Sequence, residues 1–290
     1  ALRFGSAIIN GDSRQFYREM RIGTARPTRA EQEGVPHYLL GDRSIDNPLS
    51  AGRYEREALE LLEKLFRDHR ILFLVGGSGL YLNALLQGLD RDIPAPDPEL
   101  RDRLSRLYES EGTSPLLREL QEKDPEHYQK VDRANPRRLI RALEVIRTSG
   151  KPFSAFHGSN KAERAFSTLK VGLWTEREEL HHRIADRVGR MFDAGLLEEA
   201  QGLLPYEDRQ LLQTVGYQEL FPYIKGERDL ETARALIERN TRRYAKRQMT
   251  WFRKDPETLW FKPDEEERIV ETIEERTGLK ARPDPTPSDT

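Results

Sequence analysis

The chain has 290 residues, with 48 basic and 50 acidic side chains, and its formal net charge is −2. This near balance excludes a uniformly basic, histone-like protein and an acidic solvating chain, although it leaves room for a local basic face. The absence of cysteine excludes a disulfide framework, a thiolate zinc site and a cysteine nucleophile. A chain of this length can bury the core of one or two domains.

Three short apolar runs predict strands at residues 7–10, 71–75 and 169–174. The first two lead into polar or glycine-bearing turns, and the periodicity of residues 50–69 predicts a helix between them. From residue 176 to residue 254 the pattern is mostly helical. Short apolar strands separated by helices favour an α/β fold with a parallel sheet flanked by helices.

The stretch 96–165 follows a proline-rich joint and has helical periodicity without a good strand. Helices are predicted there over 98–111, 115–123 and 137–149. We therefore expect an all-helical insertion at 96–165 in a discontinuous α/β core formed by residues 1–95 and 166–280.

The two ends of the chain and its hydropathy carry further expectations. Residues 281–290 contain three prolines and no core-forming residue, so we expect a disordered tail. No apolar run approaches the roughly 20 residues that cross a bilayer, and no signal peptide opens the chain. These features predict a soluble, cytoplasmic protein without a membrane segment.

Asp12 follows the first predicted strand, at the edge of an open α/β sheet where ligands usually bind. Its carboxylate could accept a proton there as a general base. A structural role competes with this interpretation, because Asp12-Ser13-Arg14-Gln15 also has the spacing of a capping box. On spacing alone the capping role is the more common one.

Gly76-Gly77-Ser78-Gly79 follows the second predicted strand and precedes a helix predicted over 80–87. Backbone N–H groups in such a loop could bind an anion, and Ser78 could cap the helix or contact a metal or phosphate. A tight turn that simply needs glycine explains the run equally well. The G-x-x-x-x-G-K-[ST] phosphate loop occurs nowhere in the chain.

Residues 239–254 carry seven positive charges and no acidic residue, with Tyr244, Trp251 and Phe252 interleaved. Basic side chains at helical spacing can contact phosphates, and aromatic rings can stack on unpaired bases. Solvated helix surfaces normally mix both signs, so the segment favours binding of nucleic acid or polyphosphate. Arginine clusters at 133–141 and 183–190 could serve RNA phosphates and a diphosphate, although arginines on exposed helices are common.

Eight motifs occur in order between about residue 6 and residue 262: Asp12-Ser13-Arg14-Gln15-Phe16-Tyr17, Ile22-Gly23-Thr24-Ala25-Arg26-Pro27, Pro36-His37, Ser50-Ala51-Gly52, Val75-Gly76-Gly77-Ser78-Gly79-Leu80-Tyr81, Arg138-Leu139-Ile140-Arg141-Ala142-Leu143-Glu144, Val215-Gly216-Tyr217 and Lys246-Arg247-Gln248-Met249-Thr250-Trp251-Phe252-Arg253. Their order and spacing resemble those of the tRNA dimethylallyltransferases, also called tRNA isopentenyltransferases. The series is far more specific than any one of its motifs.

The resemblance implies a fold related to the P-loop nucleotide kinases, with a helical insertion that grips the anticodon stem-loop of tRNA. It implies transfer of a dimethylallyl group from dimethylallyl diphosphate to N6 of the adenosine 3′ of the anticodon, which gives N6-isopentenyladenosine. The target base is flipped out, and Mg²⁺ assists the departing diphosphate. We expect the protein to act as a monomer.

The resemblance also assigns site residues. It makes Asp12 the catalytic base, places Ser78 near the reacting groups where the family usually has threonine, and brings Arg187 to the diphosphate. The tRNA contacts that it implies are Asp12, Ser13, Arg14, Gln15, Ser78, Arg101, Arg137, Arg138, Leu139, Ile140, Arg141, Gln213, Thr214, Val215, Gly216, Tyr217, Gln218, Lys246, Arg247, Gln248, Met249, Thr250, Trp251, Phe252 and Arg253.

One family motif is absent from the sequence. The phosphate-binding loop G-x-[TS]-x-[SG]-K-[TS] lies ahead of the aspartate motif in the family and would supply the main diphosphate cradle. We therefore expect this polypeptide alone to have little transferase activity while still binding tRNA.

Three other functions stay open at this point. The chain could be an adenylate isopentenyltransferase that modifies a free nucleotide, an inactive RNA-binding relative, or a small-molecule kinase of the same fold. The long basic and aromatic segment and the helical insertion favour tRNA over a free nucleotide as the acceptor. A kinase would depend even more on the absent phosphate loop.

Overall fold

The structure is a computed structural model that describes residues 1–89, 93–156 and 162–283. The chain divides into two compact units, one formed by Ala1–Leu86 with Arg164–Thr290 and the other by Gln87–Glu163. The second unit begins before the predicted insertion, because the carbonyl of Gln87 accepts a hydrogen bond from the N–H of Ala162 at 2.8 Å. In the described part of the chain, no helix has the length and apolar character needed to cross a membrane.

The described residues of the first unit form five short strands, and every pairing between them is parallel: β1 (Ile8–Asn10), β2 (His37–Tyr38), β3 (Phe73–Val75), β4 (Val171–Leu173) and β5 (Leu259–Phe261). One sheet has the order β2-β1-β3, and β4 pairs with β5 in a second sheet. The sequence predicted β1, β3 and β4 but neither β2 nor β5. Which strands pair depends on contacts between distant segments, which a local pattern does not encode.

The first unit also contains most of the helices: α1 (Ala51–Leu65), α2 (Gly79–Gln87), α7 (Arg177–Asp193), α8 (Leu196–Leu203), α9 (Tyr217–Ile224), α10 (Leu230–Phe252) and α11 (Glu266–Thr277). Local chemistry sets several of their ends. Ser50 caps α1 by accepting from the N–H of Arg53, and Asp229 caps α10 by accepting from the N–H of Thr232. The core of this unit packs Ile9 of β1 against residues of α1, α7, α8, α9 and α10.

Among its described residues the second unit has helices and no strand, and its α-helices are α3 (Pro98–Glu111), α4 (Ser114–Lys123), α5 (Pro125–Lys130) and α6 (Pro136–Ser149). Leucines at helical spacing on α3, α4 and α6 form its core, among them Leu104, Leu116 and Leu143. The predicted fold class, a parallel α/β core with an all-helical insertion, is confirmed. The short helix α5 was not predicted.

The predicted disordered tail is wrong for its first residues. The N–H of Ala281 donates to Glu274, and the N–H of Arg282 donates to the carbonyl of Arg3 at 2.6 Å. These hydrogen bonds attach the end of α11 to the start of the chain. Residues 284–290 lie outside the described residues.

Candidate active site

The carboxyl ends of β1 and β3 meet at one edge of the sheet. The N–H of Gly11 donates to the carbonyl of Val75 at 2.7 Å. A Cβ atom on Gly76 would overlap the backbone of Gly11, so the close approach of the two chains requires glycine at this position. This approach brings Asp12 and Ser78, the polar residues that follow the two strands, to the same place.

The carboxylate of Asp12 closes a turn, and no helix follows it. Its Oδ1 accepts from the N–H of Arg14 at 2.8 Å. Gln15, which a capping box would turn back toward Asp12, instead donates to the carbonyls of Thr24 and Ala25, at 3.1 Å each. The capping-box interpretation is therefore wrong, because the amide bonds to a neighbouring turn. Among the described residues none donates to Oδ2 of Asp12, so this oxygen can accept a proton.

Ser78 connects the glycine-bearing loop to the turn at Asp12. Its Oγ accepts from the N–H of Ser13 at 2.9 Å and donates to Oγ of Ser13 at 3.0 Å. The hydroxyl therefore joins two loops. The sequence also predicted that Ser78 could cap the helix that follows, and α2 does begin at the next residue, but the hydroxyl bonds to Ser13 instead. A hydroxyl group consequently lies beside the turn that carries Asp12.

An open cleft of about 230 Å³ lies beside these loops, and α10 forms one of its walls. Gln248 on α10 donates to the carbonyl of Gly77 at 3.0 Å. A side chain at Gly79 would overlap the indole of Trp251, so this glycine lets the helix approach the loop. The cleft is lined by Ser13, Gly77, Ser78, Gly79, Leu80, Tyr81, Tyr244, Arg247, Gln248, Trp251 and Phe252. This lining combines aromatic faces with hydroxyl, amide and guanidinium groups.

Two further side chains lie within electrostatic reach of Asp12. Burial raises the pKa of the Tyr244 hydroxyl, the negative charge of Asp12 raises it further, and a hydrogen bond with Ser78 opposes this change. The side chain of Arg187 keeps solvent-exposed surface, yet desolvation of its guanidinium lowers its pKa, while the charge of Asp12 acts in the opposite direction. The structure thus brings Asp12 and Ser78 together at the edge of the sheet, and Arg187 lies within electrostatic reach of Asp12.

The basic side of α10 is open to solvent. Arg242 lies 3.6 Å from Glu238. Met249 is half-buried, Thr250 donates its hydroxyl to a carbonyl of the preceding turn, and Arg253 is exposed just after the helix. Four more basic residues are exposed and pair with no acidic residue in the part of the chain that the structure describes: Arg239, Arg243, Lys246 and Arg247.

The predicted segment 213–218 reaches the site through one contact. Nε of Arg14 donates to Oγ1 of Thr214 at 2.7 Å. Gln213 donates to an upstream carbonyl, and Gln218 donates to Glu219. The segment therefore supports the turn after β1 from one side, and Gln213 remains exposed.

Tyr217 is fully buried, so its side chain is not available to an RNA ligand. Val215 packs against the core, and Gly216 adopts a φ of 107° that favours glycine. The hydroxyl of Tyr217 donates to Glu199 at 2.7 Å, and burial raises its pKa. The carboxylate of Glu199 also accepts from three consecutive backbone N–H groups at 2.8–2.9 Å, those of Arg21, Ile22 and Gly23.

Sequence reasoning missed Glu199, because it lies more than 170 residues from the segment that it binds. The only local signal was Gly23, where a side chain would overlap the ring of Tyr217. Glu199 fixes residues 21–23, in the middle of the loop that connects β1 to β2.

The predicted contacts in the second unit have different surroundings. Arg101 and Arg141 both donate to Oε2 of the buried Glu144, at 2.7 and 2.9 Å. Leu139 and Ile140 are buried in the core, which leaves only their backbones for an RNA contact. Arg137 and Arg138 are exposed at the start of α6 and form no ion pair with described residues.

Three comparisons show which known proteins this chain resembles. The model of the IPP transferase family matches residues 15–255. The tRNA dimethylallyltransferase of Cytophaga hutchinsonii is 48% identical over 274 residues, which cover 94% of this chain and 90% of that protein. The structure of the tRNA isopentenylpyrophosphate transferase from Bacillus halodurans is 36% identical, covers 95% of this chain and 88% of that one, and has a TM-score of 0.67.

A third protein shares the fold. A eukaryotic dimethylallyltransferase acting on tRNA superposes with a TM-score of 0.78 over 98% of this chain and 76% of that one, at 24% identity. The family match spans most of the chain and includes Ser78, Arg187 and the whole of α10. The chain belongs to the IPP transferase family.

Proposed function

We propose that the protein transfers a dimethylallyl group from dimethylallyl diphosphate to N6 of the adenosine 3′ of the anticodon in tRNA. The observation that carries this proposal is the meeting of the Asp12 turn, Ser78 and the aromatic and basic wall of α10 at one edge of a parallel sheet. The relatives named above are transferases of this kind by name. One chain supplies all of these groups, so we propose that a monomer suffices.

The reaction joins N6 of adenosine to C1 of the dimethylallyl group. As the N6–C1 bond forms, the bond between C1 and the diphosphate oxygen breaks, and its electron pair leaves with the diphosphate. As this bond forms, N6 passes a proton to a base, which we assign as Oδ2 of Asp12, the carboxylate oxygen to which no described residue donates. An exocyclic amine is a weak nucleophile that gains positive charge as it attacks, so removal of the proton during bond formation lowers the barrier.

The departing diphosphate needs positive charge and hydrogen-bond donors. Arg187 lies within electrostatic reach of Asp12 and can provide the charge, and the loop at Gly76–Gly79 can provide backbone N–H groups. Ser78 adds a hydroxyl next to Ser13. These groups would stabilise charge that develops on the leaving oxygen.

The residues do not fit a resident metal ion. Among the residues that the structure describes, no group of three or more acidic, histidine or cysteine side chains could hold one. Asp12 is the carboxylate at this edge, and it is assigned to the proton. We therefore propose that Mg²⁺ binds as a complex with the diphosphate, whose oxygens supply most of its ligands.

The acceptor is placed by two surfaces. The exposed basic residues of α10 can contact phosphates, and Tyr244 and Trp251, which are 39% and 40% exposed, offer faces on which a base can stack. The N6 group is inaccessible inside a stacked helix, so the adenosine must leave its stack to reach Asp12. In the second unit, exposed Arg137 and Arg138 offer a further phosphate contact.

Asp12→Asn tests the assignment with little change in shape, because the amide oxygen can still accept from the N–H of Arg14. We expect prenyl transfer to an anticodon stem-loop by the full chain to fall by about 10² to 10⁴, the usual contribution of a general base. Affinity for the RNA should change less than about twofold, because phosphate contacts supply most of it. The matched control is Asp68→Asn, an exposed residue after α1.

The outcomes separate the competing functions. Full activity in Asp12→Asn would refute the role of Asp12 as the base. Faster transfer to AMP than to the stem-loop would identify a free nucleotide as the acceptor. RNA binding without any transfer in the unmodified protein would indicate a binding protein and refute the proposed reaction.

A further inference from the structure

Asn10 is the last residue of β1, and only 3% of its surface is exposed. Its side-chain amide forms hydrogen bonds with both the N–H and the carbonyl of a single residue, Asp12. Its Oδ1 accepts from the N–H of Asp12 at 3.0 Å, and its Nδ2 donates to the carbonyl of Asp12 at 3.1 Å. Nδ2 also donates to the carbonyl of Leu39 at 2.9 Å. A single buried amide therefore holds the residue that carries the reacting carboxylate.

The partners fix the orientation of this amide. The N–H of Asp12 requires an acceptor, and the two carbonyls require a donor, so the oxygen and nitrogen cannot be exchanged. Aspartate would place negative charge against two carbonyls, and serine has one hydroxyl for three partners. Leucine has a similar shape but would leave these buried backbone groups without hydrogen bonds.

Two neighbours limit the motion of Asn10. Its own carbonyl accepts from the hydroxyl of the buried Tyr54 at 3.0 Å. Leu39, the third partner of the amide, has a φ of 57°, a left-handed conformation that is uncommon for leucine and directs its carbonyl toward β1. Asn10 therefore links the end of β1 to the residue that follows β2, two positions before Asp12.

We propose that Asn10 is a positioning residue that sets the location of the Asp12 carboxylate for proton transfer. The proposal rests on the proposed function, because it assigns Asn10 to the residue that accepts the proton. Asn10 does not touch the substrate. It acts by holding the N–H and the carbonyl of Asp12 in place. These contacts fix the backbone position from which the carboxylate of Asp12 extends.

The test compares Asn10→Leu and Asn10→Ser with a control at the other end of the same strand. Ser6 precedes β1, is buried to 4% exposure, and donates its hydroxyl to the carbonyl of Ile71. Ser6→Ala therefore weakens the strand without touching Asp12. Each variant is assayed as the full chain for kcat, for KM toward an anticodon stem-loop, for thermal unfolding, and for hydrogen exchange of the Asp12 amide.

We expect Asn10→Leu to lower kcat by about 10²-fold, the loss that follows a misplacement of roughly 1 Å, with KM changed less than about twofold. Asn10→Ser should recover part of kcat, because its hydroxyl can replace one of the lost hydrogen bonds. Exchange of the Asp12 amide should become faster in Asn10→Leu and stay unchanged in Ser6→Ala. Ser6→Ala should lower the melting temperature and leave kcat unchanged.

Unchanged kcat or unchanged exchange at Asp12 in Asn10→Leu would overturn the proposal. A loss of kcat in Ser6→Ala equal to that in Asn10→Leu would also overturn it, since strand stability would then be the cause. If the unmodified protein transfers no prenyl group, the proposed function fails. The exchange measurement still decides whether Asn10 holds Asp12.

Discussion

Glu144 is the most buried acidic group among the described residues of the second unit, and its removal should destabilise that unit strongly. The residue has no exposed surface, and its carboxylate accepts from Arg101 at 2.7 Å, Arg141 at 2.9 Å and the N–H of Asp97 at 2.7 Å. Asp97 is also the N-cap of α3. Glu144 on α6 therefore joins two helices and the segment before them.

The expected loss follows from this geometry. Removing one partner from a buried ion pair costs about 3–5 kcal/mol, because the remaining charges lose their compensation. The side chains of Arg101 and Arg141 keep 45% and 29% of their surface exposed, so water can replace part of what they lose. We therefore expect Glu144→Gln to lower the free energy of unfolding of this unit by about 3 kcal/mol.

Hydrogen exchange of α3 and α6 in the full chain measures this loss for the second unit alone, since a protein of two units need not unfold in one step. The control is Glu122→Gln, an exposed position on α4 that should change stability by less than about 0.5 kcal/mol. A loss below about 1 kcal/mol in Glu144→Gln would refute the reasoning, because that is the range of a surface ion pair.

The contribution of Glu144 also depends on pH. Burial alone would raise its pKa, but hydrogen bonds from Arg141, Arg101 and the N–H of Asp97 outweigh burial and hold the pKa below the ordinary value. A lowered folded pKa stabilises the protein fully above the unfolded value of about 4.3. This stability is lost as the pH falls through the folded pKa, and Glu144→Gln should remove that part of the acid sensitivity.

Three further predictions concern RNA binding and the loops of the site. Replacing both Arg137 and Arg138 by alanine should weaken RNA binding. The slope of the logarithm of the binding constant against the logarithm of the salt concentration should fall by about one for each lost phosphate contact. The control Arg106→Ala should keep the slope of the unmodified protein, and an unchanged slope in the double variant would contradict the prediction. Gly76→Ala should lower stability by about 3 kcal/mol, measured by calorimetry, because its Cβ meets backbone; a normal melting temperature would contradict the close approach. Glu199→Gln should lower stability by about 2 kcal/mol in urea unfolding, and a change near zero would show that water replaces the carboxylate.

Local patterns predicted the elements whose signals lie within the element itself. The helix predicted over 98–111 is α3, because Asp97 caps it, Pro98 begins it and Gly112 ends it. The two-residue strand β2 and the six-residue helix α5 were missed, because such short elements contain fewer than two full periods of their pattern. Their existence depends on their neighbours.

Near Asp12, too, sequence patterns predicted the local features and missed those that depend on distant residues. The position of Asp12 just after a strand was predicted correctly, because the end of a strand is a local feature, whereas its catalytic role stays a prediction. The capping-box spacing gave a wrong structural reading, since the amide of Gln15 bonds to a turn nine and ten residues away. The groups that hold this loop and Asn10, Glu199 and Leu39 after β2, are remote in sequence, and only Gly23 gave a local signal for one of them.

The arginines of the second unit show why charge spacing alone does not locate an RNA surface. Arg137, Arg138 and Arg141 lie within one helical stretch, yet Arg141 is bound to Glu144 and its neighbours are not. Because Glu144 neutralises one of the two charges on Arg101 and Arg141, an RNA phosphate meets less positive charge there than the sequence suggests. On α10, by contrast, Glu238 lies 3.6 Å from Arg242. The exposed basic residues further along the helix, Arg243, Lys246 and Arg247, form no ion pair with any described residue. The electrostatic surface that would meet tRNA is therefore set by the pairing of charges between helices, and α10 retains most of what its sequence predicts.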